Sequence, residues 1–489
     1  MTTRMHKAAL LFAVPLILAA CSLEPDYTRP ASPVSTNWPE GPAYTQPAAS
    51  AKAGEPLLSD LGWREFFKAE PLQKLIATAL ANNRDLRVAA LNIESARAQY
   101  RVQRADLFPT ISAEGTGTRQ RSPASVSTFG QSVTYSQYSV DAGISSFELD
   151  FFGRVRSLKN EALETYLATE EARTASQVSL IAEVANAYLT LQADRRLLSL
   201  TNETLKSQES SLGLTTESFK RGISSQLDLS QAQTTVETAR VNRAIYIRQV
   251  AQDRNALELL VGAPIDEKSL RTVDTAEADA LLADLPAGLP SDLLTRRPDI
   301  REAEHQLRAA NADIGAARAA FFPKITLTAS GGTQSTSLSS LFDPGSGAWS
   351  FAPSISLPIF DAGRNQANLD VSKAQRDIDI AQYEKAIQTA FREVSDALAG
   401  RGTYTDQVNA QRALVKATGD SYRLAQLRYD KGIDSYLNVL DSQRSLYNAQ
   451  QTLISIELER MSNLVTLYKV LGGGGVERMK TADMENTTK

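Results

Sequence analysis

The sequence predicts an α+β membrane protein in which four β-strands per chain belong to a transmembrane β-barrel, continued by a long α-helical coiled-coil barrel. Three observations lead to this prediction. A very long stretch of each half reads as one helix, with apolar residues at steps of one heptad. The landmarks of the first half recur in the second. Each half also holds two stretches in which apolar and polar residues alternate.

The long helix of the first half runs from Arg154 to Arg221 and contains no proline and one glycine, Gly213. Apolar residues at heptad spacing are typical of a helix that supercoils against partner helices. One unbroken helix of this length would extend about 100 Å at ~1.5 Å per residue, well beyond the helices of ordinary globular domains. Its apolar seam consists of Val184, Leu191, Leu198, Leu205, Leu212 and Phe219.

The second half repeats the first, with its landmarks in the same order. Unrelated alanine-rich helices would not share this order, so we predict two internal structural repeats. The matched landmarks are Phe108-Pro109 with Phe322-Pro323, Gly153-Arg154 with Gly363-Arg364, and Phe219 to Gly222 with Tyr429 to Gly432.

Residues 1–20 carry Arg4 and Lys7 followed by an apolar run, which predicts a secretory signal peptide too short to be a transmembrane helix. The run ends at Leu18-Ala19-Ala20-Cys21, which resembles a bacterial lipoprotein box. The resemblance implies that Cys21 is lipidated and that Ser22 directs the protein to the outer membrane. The alternative is an unmodified cysteine after a signal peptide. Several acyl chains would hold the N-terminus firmly, since each buried CH₂ is worth about 0.8 kcal/mol.

The predicted organisation after the signal peptide has five parts. Residues 21–71 form a proline-rich, lipid-anchored tether and equatorial segment. Residues 72–262 form the first repeat, 263–290 an equatorial linker, 291–472 the second repeat and 473–489 a polar tail. Each repeat holds a helix, two strands, a long helix and a return helix. The predicted ranges after the first helix are 110–121, 133–149, 154–221 and 226–261 in the first repeat, and 324–334, 349–360, 364–431 and 435–471 in the second.

The strands are clearest in the second repeat, where Ile325, Leu327 and Ala329 alternate with polar residues. Strands of about ten residues with one apolar face suit a transmembrane β-barrel. A soluble antiparallel sheet with one wet face is the alternative. The signal peptide and the aromatic residues at the strand ends favour the barrel. These aromatic residues are Tyr138, Phe147, Trp349 and Phe360.

Four strands cannot close a barrel, and open strand edges cannot face lipid. The chain is therefore predicted to oligomerise. Known barrels begin at about 8 strands, so a dimer, a trimer or a tetramer would each be large enough. The residues alone do not decide among a dimer, a trimer and a tetramer.

Composition excludes several other functions. The formal net charge is −4, which argues against nucleic acid as a partner. One cysteine and two histidines exclude a disulfide scaffold and make a Cys/His metal site improbable, so no cofactor or metal is expected. The sequence has no glycine-rich nucleotide loop and no histidine base near paired carboxylates, so it does not predict an enzyme.

The sequence resembles the TolC-like outer-membrane factors, and more narrowly the OprM-like lipoprotein channels of tripartite multidrug efflux pumps of the RND type. The resemblance covers about residues 21–475. Its landmarks are Leu18 to Cys21, Asn82 to Leu86, Phe147 to Asp150 before Phe152-Gly153-Arg154, Leu289 to Leu294, Arg296 to Ile300, Ala319 to Pro323 and Leu357 to Gly363.

This resemblance implies a homotrimer with a 12-stranded barrel above a helical tunnel that crosses the periplasm. It also implies three partners: a periplasmic membrane-fusion adaptor, an inner-membrane RND transporter and the lipid of the outer membrane. The tip of the tunnel in the periplasm would be closed at rest and would open like an iris.

Carried over residue by residue, the resemblance places the gate at Arg428, Tyr429, Leu437 and Asp441, with Asp434 beside them. Arg428 and Asp441 flank one turn, so we expect them to form an ion pair across it. The alternative is a set of ordinary solvated tip residues, whose ion pair is worth ~0–1 kcal/mol. The turn glycines Gly222 and Gly432 are expected to be structural, with adaptor contacts on the helices beside them.

Two transport functions remain after this reasoning. The first is a passive exit duct for drugs and other small compounds. The second is an export channel for secreted proteins or peptides, as in type I secretion. The lipoprotein box and the OprM-like landmarks favour the first.

Overall fold

The protein was analysed as a computed structural model, which describes residues 22–44, 61–127, 130–266, 270 and 296–473. The predicted signal peptide, Cys21, most of the linker at 263–290 and nearly all of the tail at 473–489 lie outside these residues.

The described chain is mostly helical, with one four-stranded sheet. None of the described helices is both long enough and apolar enough to cross a membrane. In chain order, the elements are α1 (Trp63–Phe66), α2 (Glu70–Asn82), α3 (Arg84–Ala105), β1 (Ile111–Ser122), β2 (Val133–Glu148), α4 (Arg154–Lys220), α5 (Gln226–Val261), α6 (Pro298–Ala319), β3 (Lys324–Ser335), β4 (Gly347–Ser356), α7 (Arg364–Asp430) and α8 (Tyr436–Val470).

The four strands pair in the order β1-β2-β3-β4, and every pair is antiparallel. The central β2–β3 pair joins the two halves of the chain, with Ile144 opposite Ala329. The register shifts between Ile144 and Phe147, where Ser146 adopts a positive φ of 53°. β1 and β4 are left as the two edges of the sheet.

The strand predicted over 349–360 is wrong at its C-terminal end. β4 ends at Ser356, and Leu357 to Phe360 lie outside it. Ser356 pairs with Lys324, the first residue of β3, so no residue of β3 is left to pair with those that follow Ser356. The apolar residues of β4 are exposed in the single chain, with Trp349 82% exposed.

Both long helices start in the same way, which explains why the sequence repeats a glycine before an arginine. Gly153 and Gly363 have φ values of 77° and 85°, a region that favours glycine. An aspartate then caps each helix. Asp150 accepts hydrogen bonds from the backbone N–H groups of Val155 and Arg156, and Asp361 accepts one from Asn365.

The described residues divide into two compact units that do not follow the sequence repeats. Unit 1 comprises 22–31, 93–169 and 303–383 and holds all four strands with adjoining parts of four helices. Unit 2 comprises the remaining described residues and holds both turns between a long helix and its return helix. Each unit therefore combines segments from both halves of the sequence.

The core of unit 2 includes an aromatic cluster of Trp63, Phe66, Phe67 and Tyr468, all almost fully buried. The Phe66 and Tyr468 rings stack with centroids 4.1 Å apart. The core of unit 1 contains Val155, Ala312, Ile314 and Tyr383. Burial of these apolar groups supplies most of the stabilisation that each unit can draw on.

Candidate functional site

The two turns that follow the long helices have the same backbone geometry. At the second turn, Gly432 N–H donates to the carbonyl of Tyr429 and Ile433 N–H to that of Arg428, both at 2.9 Å. Gly222 and Ile223 make the equivalent bonds at the first turn. Gly222 and Gly432 both have a left-handed φ near 70°. This is a Schellman motif, which requires glycine at the position that reverses the helix.

The charges differ between the two turns. At the second turn Arg428 holds Asp434 with two hydrogen bonds, Nε to Oδ2 at 2.6 Å and Nη2 to Oδ1 at 3.2 Å. The hydrogen bond from Arg428 lowers the pKa of Asp434 below its ordinary value. The pair therefore connects the last turn of α7 to the segment that enters α8.

The predicted pair between Arg428 and Asp441 is wrong within this chain. Asp441 instead pairs with Arg444, three residues further along α8. Asp434 lies in the same turn as Arg428, whereas Asp441 begins the second turn of α8 beyond it, so Asp434 is the acid within reach. The charged residues of the predicted gate are thus split between two ion pairs.

Tyr429 packs against an apolar cluster. Its ring lies 5.2 Å from that of Tyr436, and its neighbours include Val439 and Leu440 of α8. Leu437 is 52% exposed and lines a cavity of about 440 Å³ together with Asp441. The predicted gate residues therefore lie near one turn but face different surroundings.

Among the described residues, the charged contacts at the first turn are local ones. Lys220 pairs with Glu217 on its own helix at 2.7 Å. Asp228 accepts a hydrogen bond from the N–H of Ser225, which caps α5 in return. The first turn is therefore held by capping and the second by an ion pair across the turn.

Unit 2 also contains charged networks that the sequence did not predict. Glu457 of α8, whose side chain is 4% exposed, accepts hydrogen bonds from Arg196 of α4 and Arg412 of α7. Arg297 pairs with Asp299 and Glu393 and also donates to the carbonyl of Val470. The partners of each network come from distant parts of the chain, so spacing gives no signal of them.

Two carboxyl groups lie side by side where α4 meets α5: Asp194 belongs to α4 and Asp253 to α5. Burial, together with the hydrogen bond and the negative charge of Asp253, raises the pKa of Asp194 to about 7. In the unfolded chain this carboxyl loses its proton near pH 4. Ionising it in the folded protein therefore costs stability, and the cost is fully present above about pH 7 and is relieved as the pH falls below 7.

We expect the heat-unfolding midpoint to be lower at pH 8 than at pH 5, and an Asp194→Asn variant to be less sensitive to this change. At pH 8 the unfolding free energy of the variant should exceed that of the native protein by about 1–2 kcal/mol, because the ionised carboxyl is gone. The gain is no larger because partial exposure screens the repulsion between the two carboxylates. Scanning calorimetry of both proteins at the two pH values measures the effect. An equal pH response in both proteins would contradict it.

Among the described residues, no group of three His, Cys, Asp or Glu side chains is placed to hold a metal ion. The geometry near the turns is that of packed helices with local ion pairs.

A family model described as outer membrane efflux protein matches residues 75–263 and, separately, residues 289–473. The chain belongs to the outer membrane efflux protein family. The two matches fall in the two halves that the sequence landmarks relate to one another.

Relatives of this outer membrane efflux protein are similar over nearly their whole length. The probable efflux pump outer membrane protein TtgC of Pseudomonas putida strain KT2440 is 55% identical over 482 residues, 98% of each chain. The outer membrane protein OprJ of Pseudomonas aeruginosa is 46% identical over 467 residues, 96% of this chain and 95% of OprJ. Among solved structures, the open-state MtrE outer membrane channel of Neisseria gonorrhoeae has a TM-score of 0.83 at 39% identity, covering 94% of this chain and 100% of that one.

The protein is therefore an outer-membrane component of a bacterial efflux pump, with a channel fold that extends into the periplasm. The role of this family is transport through a channel, which is not an enzymatic one.

Proposed function

We propose that the protein is the exit duct of a tripartite pump and passively conducts drugs and other small compounds out of the cell. The driving force would come from an inner-membrane RND transporter linked to the duct by a periplasmic adaptor. The observation that carries this proposal is full-length similarity to relatives named for the efflux of antibiotics and toluene.

Deleting the gene and measuring drug susceptibility together with the secretion of large proteins tests the proposal. We expect susceptibility to rise with secretion unchanged. Loss of secretion alone would favour the alternative, an export channel for proteins or peptides. Complementation with the full chain is the control, and it should restore resistance.

Three copies would complete the duct. β1 and β4 are edge strands of the four-stranded sheet, and lipid cannot satisfy the hydrogen-bonding groups of an open edge. Pairing β4 of one copy with β1 of the next would close a 12-stranded barrel, the number that the family resemblance implies. Exposed apolar residues on β4, including Trp349 and Phe351, suit a lipid-facing wall. The mass of the detergent-extracted complex measures the copy number, and a dimer or a tetramer would overturn the trimer.

The N-terminus would be fixed in the outer membrane by acyl chains on Cys21. This residue lies outside the described part of the chain, which begins with Ser22. Metabolic labelling with radioactive palmitate tests the modification. We expect label in the native chain and none in a Cys21→Ser variant.

The resting gate would be held by Arg428 and Asp434, the pair that spans the second turn. We expect Arg428→Ala and Asp434→Ala each to raise the mean conductance of the isolated channel about two- to fivefold, the range open to a solvated ion pair. The double variant should resemble either single variant, because both remove one interaction. Single-channel recording in a lipid bilayer measures the effect.

Lys220→Ala is the matched control, since Lys220 forms a local ion pair at the first turn. Its conductance should stay at the native value. Equal increases in Lys220→Ala and Arg428→Ala would contradict a gate confined to the second turn.

A further inference from the structure

The first described residues of the chain, Ser22 to Ala31, form an extended segment that we call the strap. The strap lies along α6 within unit 1 and runs in the opposite direction to that helix. Arg318 donates to the carbonyl of Leu23 at 3.1 Å, and Asn311 donates to the carbonyl of Pro25 at 2.7 Å. Two side chains of α6 therefore hold the strap by its backbone, which fixes its course independently of its side chains.

The C-terminal half of the strap is held by a buried acid, Glu304 of α6. Its side chain is 6% exposed, and Arg29 of the strap reaches it through Nη2 at 2.8 Å and through Nε at 3.1 Å. Arg308, one turn along α6, donates to the same carboxylate at 2.7 Å, and the Tyr27 hydroxyl donates at 3.2 Å. A buried carboxylate is costly without such partners. Two of these three donors, Tyr27 and Arg29, come from the strap.

The electrostatics agree with the contacts. Burial raises the pKa of Glu304, but the hydrogen bond from Arg29 and the charge of Arg308 outweigh burial and hold it below its ordinary value. The Arg308 guanidinium also lies over the Tyr27 ring, 4.9 Å from its centroid. Glu304 thus stays ionised and keeps its attraction for Arg29.

α6 has a glycine, Gly315, where the strap comes close to it. A Cβ atom added to Gly315 would lie 2.9 Å from the Cα of Glu24 and 2.5 Å from the Ser157 hydroxyl. Glu24 also accepts a hydrogen bond from Asn160 of α4 at 3.0 Å. The groove between α4 and α6 thus binds the strap through side-chain contacts, backbone hydrogen bonds and a close approach at one glycine.

We propose that this groove is a binding site for the strap, and that Glu304 is the positioning residue that fixes where the N-terminus leaves the protein. With the strap bound, a group attached two residues before Leu23 can reach at most about 7 Å from Leu23, at ~3.3–3.6 Å per residue. That point is near the end of α6 that leads into β3. If the contacts of Arg29 and of the strap residues that precede it were all lost, the free chain from residue 21 to Arg29 could extend about 25–30 Å.

The position that a bound strap gives to the acyl chains rests on the proposed lipidation of Cys21. The binding of the strap itself does not. A bound strap would set the acyl chains at the level where unit 1 enters its strands. A free strap would leave the anchor attached without fixing its place.

Limited proteolysis by chymotrypsin at the Tyr27–Thr28 bond tests the binding. A protease needs an extended, released segment, so the cleavage rate reports how often the strap leaves the groove. We expect Arg29→Met and Glu304→Gln each to raise this rate about tenfold, the effect of losing a charge-assisted hydrogen bond. The double variant should cleave no faster than Glu304→Gln alone, because both changes remove the same contact.

Glu94→Gln is the matched control, since Glu94 is an exposed carboxylate of α3 in the same unit. It should cleave at the native rate. A native rate in Arg29→Met, which leaves every residue of α6 in place, would overturn the proposal. Multiplying effects in the double variant would do the same.

A second measurement separates this inference from lipidation and transport. Cys21 is the only cysteine, so a chain carrying Cys21→Ala and Ser22→Cys, produced behind a non-lipoprotein signal peptide, takes one spin label. Its spectrum should show a restricted label that becomes mobile when Arg29→Met is added. An equally mobile label in both chains would overturn the proposal even if the channel conducts normally.

Discussion

A Gly332→Ala variant is expected to lose drug resistance almost to the level of a gene deletion. Gly332 of β3 lies opposite Asp141 of β2, and an added Cβ would meet the backbone carbonyl oxygen of Val140 and the Cα of Asp141. Backbone atoms in a ladder cannot move aside as a flexible side chain can. A clash of this kind costs about 1–3 kcal/mol or more, enough to reduce the amount of folded protein several-fold.

Gly331→Ala provides a closely matched control. Gly331 is the neighbouring residue in the same strand, yet a Cβ added there would meet nothing within 4 Å. Drug susceptibility and the amount of protein in the outer membrane should therefore stay near native levels in Gly331→Ala. Equal defects in both variants would show that loss of glycine itself, rather than the close approach of β2 and β3, is responsible.

A Glu457→Ala variant is expected to lose about 1–3 kcal/mol of unfolding free energy, the usual effect of removing a buried carboxylate that accepts hydrogen bonds from charged groups. Glu457 accepts hydrogen bonds from Arg196 at 2.7 Å and from Arg412 at 3.0 Å. Without it, the guanidinium groups of Arg196 and Arg412 would lose the negative charge that they share. The midpoint of heat unfolding should fall by several degrees.

Glu459→Ala, an exposed position two residues along α8, should leave the unfolding free energy within about 0.5 kcal/mol of the native value. Replacing all three charged residues by apolar ones, Arg196→Met with Arg412→Met and Glu457→Leu, should recover much of the loss, since no charge of this network then remains at the buried position. A triple variant as unstable as Glu457→Ala would indicate that packing at this site matters more than charge.

The sequence predicts the long helices and the four strands because their signals are local. Heptad spacing needs only neighbouring residues, and the glycines at 153 and 363 mark helix starts because only glycine readily takes their positive φ. The family resemblance is confirmed by the matches to both halves of the chain. The end of β4 was mispredicted because apolar alternation continues through Pro358 although ladder pairing does not.

The side-chain partners were harder to predict. Arg428 has two acids within reach in sequence, and only the geometry of the turn decides that it pairs with Asp434 rather than Asp441. His305 lies 2.7 Å from Glu164 of another helix, and no spacing in the sequence indicates this contact. Such contacts depend on which helix faces form the interior, and one sequence does not contain that information in any local pattern.

The pairing of β2 with β3 has a consequence for the order of events during synthesis and export. Ile144 must find Ala329, a residue made only after both α4 and α5 have left the ribosome. Contacts so distant along the chain form slowly and leave strands open to wrong associations. We expect newly exported chains to wait in the periplasm with the β1–β2 hairpin not yet joined to β3, so this waiting chain, rather than the finished channel, is the form most in need of a chaperone.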